Sequence, residues 1–258
     1  MKLSTSRLLI INDDGIDAPG IAVLAKAARD ISDDVWVVAP ISNQSAKSRS
    51  MTLREPIEVQ KRDERIFAIG GSPVDCALLA FMKLLPQDGK TTLVLSGVNS
   101  GGNLAEDVGY SGTVGAAFEA AKIDAAAIAF SQVRPEDGES DIDWSMAEVW
   151  VPSLLNDLKD YEMAPGQVFN VNLPDCRTDQ VQGVELCAQG RRSCQVELHD
   201  LGQYKGRSWY IVSNFSNDDA TAEETYLHAV ARNFIAVTPL RADNNDLATL
   251  NKLKQELG

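Results

Sequence analysis

Positive charge is scarce in this chain: 24 Lys and Arg stand against 37 Asp and Glu, a formal net charge of -13 over 258 residues. That balance disfavours contact with a nucleic-acid polymer or an anionic membrane, because both repel an acidic surface. It also means that a phosphorylated ligand needs a local cation to approach. Cysteine is sparse, and its four residues form neither a CxxC pair nor a zinc-like ligand set. Cys187 and Cys194 could flank a hairpin, but the simpler reading is free thiols in a reduced cytoplasm. No apolar run approaches the ~20 residues that span a bilayer. The apolar stretch behind Lys2 and Arg7 is too short for a secretory signal. The expectation is a soluble, cytoplasmic protein. There are two histidines, His199 and His228, both far downstream and both read as surface or core residues. The GxSxG elbow, the GxGxxG fingerprint of the first turn and the GxxxxGK[ST] loop are all missing. No internal repeat or low-complexity segment is present. Apolar residues make up 44% of the chain, ordinary for a folded protein. The length suits one large domain, or a core with an embellishment.

What the chain does have begins at Arg7, in RLLIINDDGIDAPGI. The apolar run Leu8 to Ile11 is too short for a helix and stops at Asn12, Asp13, Asp14 and Gly15, so it reads as a strand buried on both faces. Two carboxylates at a strand's carboxyl end lie where open α/β sheets bind ligands. They repel one another, and a divalent cation is the simplest way to hold both ionised. The alternative is that one aspartate caps the following helix and the other faces solvent.

Strands and helices alternate from there. Pro19 to Asp30 reads as a helix and Asp34 to Pro40 as a second buried strand. The polar loop ISNQSAKSRS follows, carrying Ser45, Lys47 and Arg49. Met51 to Ile69 reads as a strand-like hairpin excursion, LREPIEVQ then RIFAIG. Pro73 to Leu85 reads as a helix in which Met82 fills core. Thr92 to Leu95 is another buried strand, ending in the polar stretch Ser96 to Asn103. Ser111, Gly112 and Thr113 open a helix of small residues, and a helix start is an anion site by geometry and dipole, although an ordinary N-cap looks the same. Ala125 to Phe130 is a further strand. The pattern predicts a doubly wound, mostly parallel α/β sheet over residues 1 to 130.

Beyond it, Ser131 to Asp143 reads as an acidic surface loop. Asp143 to Leu158 reads as a helix kinked or broken at Pro152, and VFNVNL (Val168 to Leu173) as a strand. Val181 to Cys187, Ser193 to Leu198 and Trp209 to Phe215 read as an extended hairpin region. Asn245 to Leu257 reads as an amphipathic helix that either closes its own domain or reaches a second subunit.

Asp13 and Asp14, Ser45, and Asn99 thus follow three separate strands, joined by the helix start at Ser111 to Thr113. Two carboxylates, an amide and a hydroxyl form an all-oxygen set suited to Mg²⁺ or Mn²⁺ rather than zinc. Such an ion could neutralise a phosphate monoester and acidify a bound water. Two rivals compete. A phosphoacceptor module also pairs acids after its first strand, but needs a third Asp that RIFAIGGS does not supply. A non-catalytic nucleotide-binding protein would use the metal only as an anchor.

At these residues the sequence resembles the SurE (survival protein E) family of metal-dependent nucleotidases. The resemblance rests on LLIINDDGIDAPGI, VVAPISNQSA, GSPVDC and above all LVLSGVNSGGNLAEDVGYSGTVGAAFEA, and returns at IAVTPL. It implies a single domain over 1–258 with a Rossmann-like core, completed after residue 130 by a hairpin extension and terminal helix that build a homodimer or homotetramer. It also implies hydrolysis of nucleoside monophosphates with one divalent ion per subunit. By motif, Asp13, Asp14, Ser45 and Asn99 would hold the metal, and Asn12, Asp13 and Asp14 would be catalytic. Asn99, Ser111, Gly112 and Thr113 would bind the phosphate. The chain departs from the family pattern at Ala46, where Gly is usual, and at Lys47 and Arg49 in a loop of normally small residues. It departs again at Tyr226 after Thr225, and at Asn233 ahead of the last core strand.

Overall fold

The computed structural model describes residues 6–135, 141–192, 196–215, 223–243 and 246–257. Its centre is β1 (Arg7–Ile11), every residue of which is buried. Because side chains alternate along a strand, Leu8 and Ile10 enter one apolar cluster while Leu9 and Ile11 enter another on the opposite face. The first cluster is covered by α1 (Pro19–Arg29) and α5 (Ser145–Leu158). The second is covered by α2 (Pro73–Leu79), the single-turn α3 (Asp107–Tyr110), α4 (Gly112–Lys122) and α6 (Tyr226–Ala231).

The main sheet has nine strands among the described residues, in the order β3-β4-β2-β1-β5-β6-β7-β11-β8. The members are β2 (Val35–Pro40), β3 (Val59–Asp63), β4 (Ile66–Ile69), β5 (Thr92–Ser100), β6 (Ala126–Gln132), β7 (Gln167–Leu173), β8 (Gly183–Leu186) and β11 (Phe234–Arg241). From β4 across to β7 all neighbours are parallel; β3 and β11 join antiparallel to β4 and β7. The chain builds outward from β1 through β2 to β4 and then crosses to β5 on the other side. The β1/β5 boundary is therefore the topological switch point, where a crevice opens beyond the strand ends. This is the expected α/β, mostly parallel sheet. The antiparallel pair β9 (Val196–Tyr204) and β10 (Arg207–Phe215) forms a separate two-stranded sheet, turned by Lys205 and Gly206, both at positive φ.

Several local expectations need correction. β5 does not end at Leu95: it continues to Ser100 past an irregularity between Ser96 and Asn99, then pairs Asn99 with Ser131 and Ser100 with Gln132. Only Val59 and Gln60 of LREPIEVQ are in a strand. Pro56 has no N–H to give a ladder, and Arg54 takes φ +63°. Past α2 the turn Ala80–Leu84 widens, with Leu85 N–H bonding the Ala80 carbonyl at 2.9 Å. The helical period is lost there, and Met82 is 72% exposed rather than core. Pro152 does not break α5, which runs unbroken over its 14 residues. α7 (Leu247–Leu257) has no buried residue, and Leu247, Leu250, Leu253 and Leu257 are all exposed. Ser193, Cys194, Asn245 and the middle of the acidic loop, 136–140, lie outside the described residues. The thiols of Cys76, Cys176 and Cys187 are free. Among the described residues no helix is long and apolar enough to cross a membrane.

Candidate active site

The alternation that puts Leu9 and Ile11 under α4 carries on one step past the strand. Asp13 has the same parity and emerges beneath the start of α4, only 3% exposed. There the Thr113 hydroxyl donates to Asp13 Oδ1 at 2.5 Å. Gly112 lies so close that a Cβ on it would sit 2.8 Å from both Asp13 Cβ and Oδ2. Burial pushes the Asp13 carboxyl up to about 6, against the lowering effect of the Thr113 hydroxyl, and the neighbouring Asp14 charge adds to the rise.

Asp14, next in the chain, reaches the end of β5. It is half-buried, and its Oδ2 accepts the Ser100 N–H at 2.9 Å. Burial raises its carboxyl too, offset in part by the Ser100 N–H and by the Arg134 charge. Asn12 shapes the turn between strand and helix. Its Nδ2 donates to the Gly15 carbonyl at 2.8 Å and its Oδ1 accepts the Gly15 N–H. Gly15 itself is at φ +111°, a conformation glycine adopts without strain. Both ends of the Asn12 amide are thus engaged in closing the turn that carries the two aspartates.

The loop after β2 is pinned against this turn, with Gln44 N–H on the Asp13 carbonyl at 2.7 Å. The next residue, Ser45, is exposed, and its N–H bonds Asn43 Oδ1 at 2.8 Å. Asn99 stands at the end of β5. Its Nδ2 donates to the Gly101 carbonyl at 2.8 Å, so Oδ1 is the end that can serve a cation. Ser111 is the N-cap of α4, its hydroxyl accepting the Val114 N–H at 3.0 Å. The hydroxyls of Ser111 and Thr113 are therefore structural partners here, one to the helix and one to Asp13. The first-turn N–H groups of α4 have no intrahelical acceptor, and the Thr113 N–H also acts on Asp13. The histidines play no part in this arrangement: His199 is in β9 and His228 in α6.

Lys47 and Arg49 separate. Arg49 is drawn into packing, its guanidinium 5.4 Å from the Phe118 ring centre and bonded to the Ala242 carbonyl. Lys47 lines a cavity of about 470 Å³ beside the Asp13 turn, together with Ile41, Gln44, Met51 and Gly70. One wall of that cavity is fixed by Asp75, which accepts from Thr52 N–H and Oγ1 and from Ser72 N–H.

Three features escaped the sequence reading. Arg134, placed in an acidic loop, stands just past β6 and bonds Ser100 twice. Asn103 is buried and bonds Ser131 Oγ, Asn170 and Asn172, which anchors the loop after β5. The alternating asparagines of VFNVNL, polar at a strand's period of two, carried that signal. Arg192, 9% exposed, makes a two-pronged bond to Asp107, just ahead of α4.

What could the two carboxylates hold? Among the described residues no three His, Cys, Asp or Glu cluster tightly enough to bind a metal on their own. A cation here would combine two carboxylates with neutral oxygens and water, a hard donor set that fits Mg²⁺ or Mn²⁺. A buried carboxyl pushed upward beside a second acid is one that such a charge would relieve.

Comparison with known proteins agrees with this architecture. A family model described as Survival protein SurE matches residues 8–196. A 5'-nucleotidase SurE of Methylocella silvestris is 41% identical over 252 residues, covering 97% of this chain and 99% of that protein. One of Brucella suis is 40% identical over 253 residues, covering 98% and 97%. The crystal structure of the SurE protein from Aquifex aeolicus superposes with a TM-score of 0.82 at 30% identity, covering 97% of this chain and 99% of that one.

Proposed function

The chain belongs to the SurE family, and from that premise we propose that it is a metal-dependent phosphomonoesterase releasing phosphate from nucleoside monophosphates. The observation that carries the reading is the meeting of Asp13, with the Asp14 charge beside it, and the start of α4 at the sheet's switch point. Relatives that share about 40% of this sequence are named 5'-nucleotidase SurE.

Asp13, Asp14, Asn99 and Ser45 would hold one divalent ion, Mg²⁺ or Mn²⁺. When bound, that ion supplies charge neutralisation for the phosphate and acidifies a water. The N-terminus of α4, at Ser111, Gly112 and Thr113, draws the remaining phosphate oxygens through its dipole. Asn12 keeps the turn closed so that both carboxylates stay aimed at one point. One carboxylate of the pair accepts the proton of the water that attacks phosphorus; the ester P–O bond breaks, and the leaving oxygen takes up a proton from solvent so that the nucleoside departs as an alcohol. The cavity beside Lys47 is the place for that nucleoside. We read the whole chain as one domain, in the cytoplasm, with the exposed leucines of α7 and the β9–β10 hairpin serving assembly into a dimer or tetramer.

The test is phosphate release from AMP with Mg²⁺ or Mn²⁺, with and without EDTA. Metal-dependent release that Asp14→Asn abolishes supports the reading. Full turnover by Asp14→Asn at saturating metal overturns it.

A further inference from the structure

An acidic protein that acts on a dianion must solve an electrostatic problem at its own door. Asp13 and Asp14 add two negative charges at the place where phosphate has to arrive, and the chain as a whole carries -13. Arg49, one of two cations in the stretch ISNQSAKSRS after β2, is committed to Phe118 and Ala242. The other, Lys47, lines the neighbouring cavity. Arg134 approaches from the far side of β5.

Its placement is built rather than incidental. β6 pairs with β5 as far as Ser100 and Gln132, and Val133 N–H bonds the Leu173 carbonyl at 2.9 Å, which carries the chain two residues past the sheet's rim. Pro135 then biases Arg134 towards extended backbone. The guanidinium is held by Nε to the Ser100 carbonyl at 3.1 Å and by Nη2 to the Ser100 hydroxyl at 2.8 Å. The same Ser100 gives its N–H to Asp14. Arg134 is thereby fixed one residue from a proposed metal ligand, yet remains exposed to solvent. A Cβ on Gly101 would sit 3.7 Å from Arg134 Nε and 3.9 Å from Asn99 Nδ2, so guanidinium and Asn99 flank the same short stretch of backbone.

We propose that Arg134 is a phosphate-binding residue of this site, its guanidinium edge taking oxygens of the substrate phosphate beside Asp14. Ser100 uses two of the five N–H donors and fixes the plane of the group. The remaining fork matches phosphate geometry, as a lysine's point charge would not. The inference rests on the phosphatase reading for its substrate, but concerns an affinity that can be measured without turnover.

The experiment titrates inorganic phosphate calorimetrically into the full-length protein at saturating Mg²⁺, for the wild type and for Arg134→Ala, Arg134→Gln and Arg134→Lys. Melting curves verify that each is folded, and AMP kinetics run in parallel. The Kd for phosphate and the KM for AMP are expected to rise about 10- to 100-fold in the Ala and Gln variants, the range for losing a hydrogen bond to a charged group. Lys should recover part of the loss. The Mg²⁺ concentration for half-activation should stay within about twofold, because a residue that only braced Ser100 and Asp14 would weaken the metal instead. A phosphate Kd within twofold of wild type in the Gln variant overturns the proposal. So does a loss of phosphate affinity that higher Mg²⁺ fully restores, or a wild type that binds no phosphate. If the wild type binds phosphate but releases none from AMP, the nucleotidase reading fails, and the role of Arg134 is still decided by the binding curves.

Discussion

Thr113 and Asp13 are 100 residues apart in sequence and joined by a hydrogen bond of 2.5 Å, hydroxyl to carboxylate Oδ1. This bond ties the strand that carries the acids to the helix whose N-terminus faces them. Thr113→Val keeps the shape and removes the donor, leaving a buried carboxylate with one partner fewer. Its expected effect is a loss of about 1–3 kcal/mol in stability and at least a hundredfold loss in phosphate release from AMP. Thr113→Ser, which keeps the hydroxyl, should retain most of the activity. Paired melting curves and steady-state rates check both.

Gly112 offers a cleaner separation of fold from site. Alanine is favoured over glycine by about 1 kcal/mol in a helix interior and by less at the first residue, where Gly112 stands, so on helix propensity alone Gly112→Ala should not weaken α4. A methyl at that position would lie 2.8 Å from Asp13 Oδ2 and 3.1 Å from Pro73 Cγ. Asp13 or the helix must then move. The expected outcome is a folded protein with metal activation weakened tenfold or more, read from a Mn²⁺ titration of activity. Unchanged metal dependence would mean that the contact between α4 and Asp13 is slack.

How far the sequence showed this depends on the kind of signal. The run Leu8 to Ile11 announced a buried strand because four consecutive apolar residues have only one economical place in an α/β sheet. Alternation along it lets Asp13 and Asp14 converge only if regular pleating ends there; that Asp13 is the one beneath α4 is seen only in the structure. The continuation of β5 through Ser96 to Ser100 was hidden, because its glycines and polar residues read as a loop. Gly97, at φ +128° and with the Phe130 carbonyl 2.3 Å from where a Cβ would be, is needed for that close passage. Met82 misled through a periodicity that the widened turn interrupts. Arg134 was lost among acids and breakers, since nothing local says that a residue beyond β6 folds back onto Ser100.

Ala46 stands where the family usually has glycine, and the structure explains that preference. Its φ is +58°, in the left-handed region, in an exposed loop. An L-residue there costs about 1–2 kcal/mol, reduced by the greater entropy that glycine loses on folding. Ala46→Gly should therefore stabilise the protein by about 0.5–1 kcal/mol, measured by chemical denaturation. Asn233, the other departure at a glycine position, has φ +62°. Asparagine tolerates this region better, so Asn233→Gly should gain less than Ala46→Gly.

At the opposite end of the sheet, Asp34 gathers Arg7 at 3.3 Å, Lys90 at 2.7 Å and the Trp36 indole N–H at 2.9 Å. Burial alone would raise its carboxyl; the Lys90 ammonium, the Trp36 N–H and the Arg7 charge outweigh it and hold the group below its ordinary value. An acid whose pKa is lower folded than unfolded binds fewer protons in the native state. It adds stability above the unfolded value, near 4, and that contribution disappears as the pH falls through the folded value. Asp34→Asn should destabilise the protein at pH 7 by about 1–2 kcal/mol, chiefly by leaving the buried Arg7 with one carboxylate, Asp88, instead of two. The gap between wild type and variant should close below about pH 4. Because Arg7 opens β1, losing this anchor loosens the strand that carries Asp13 and Asp14 from its far end. Melting temperatures of the two proteins from pH 3 to pH 7 test the slope and its sign; a gap that widens on acidification would refute this assignment.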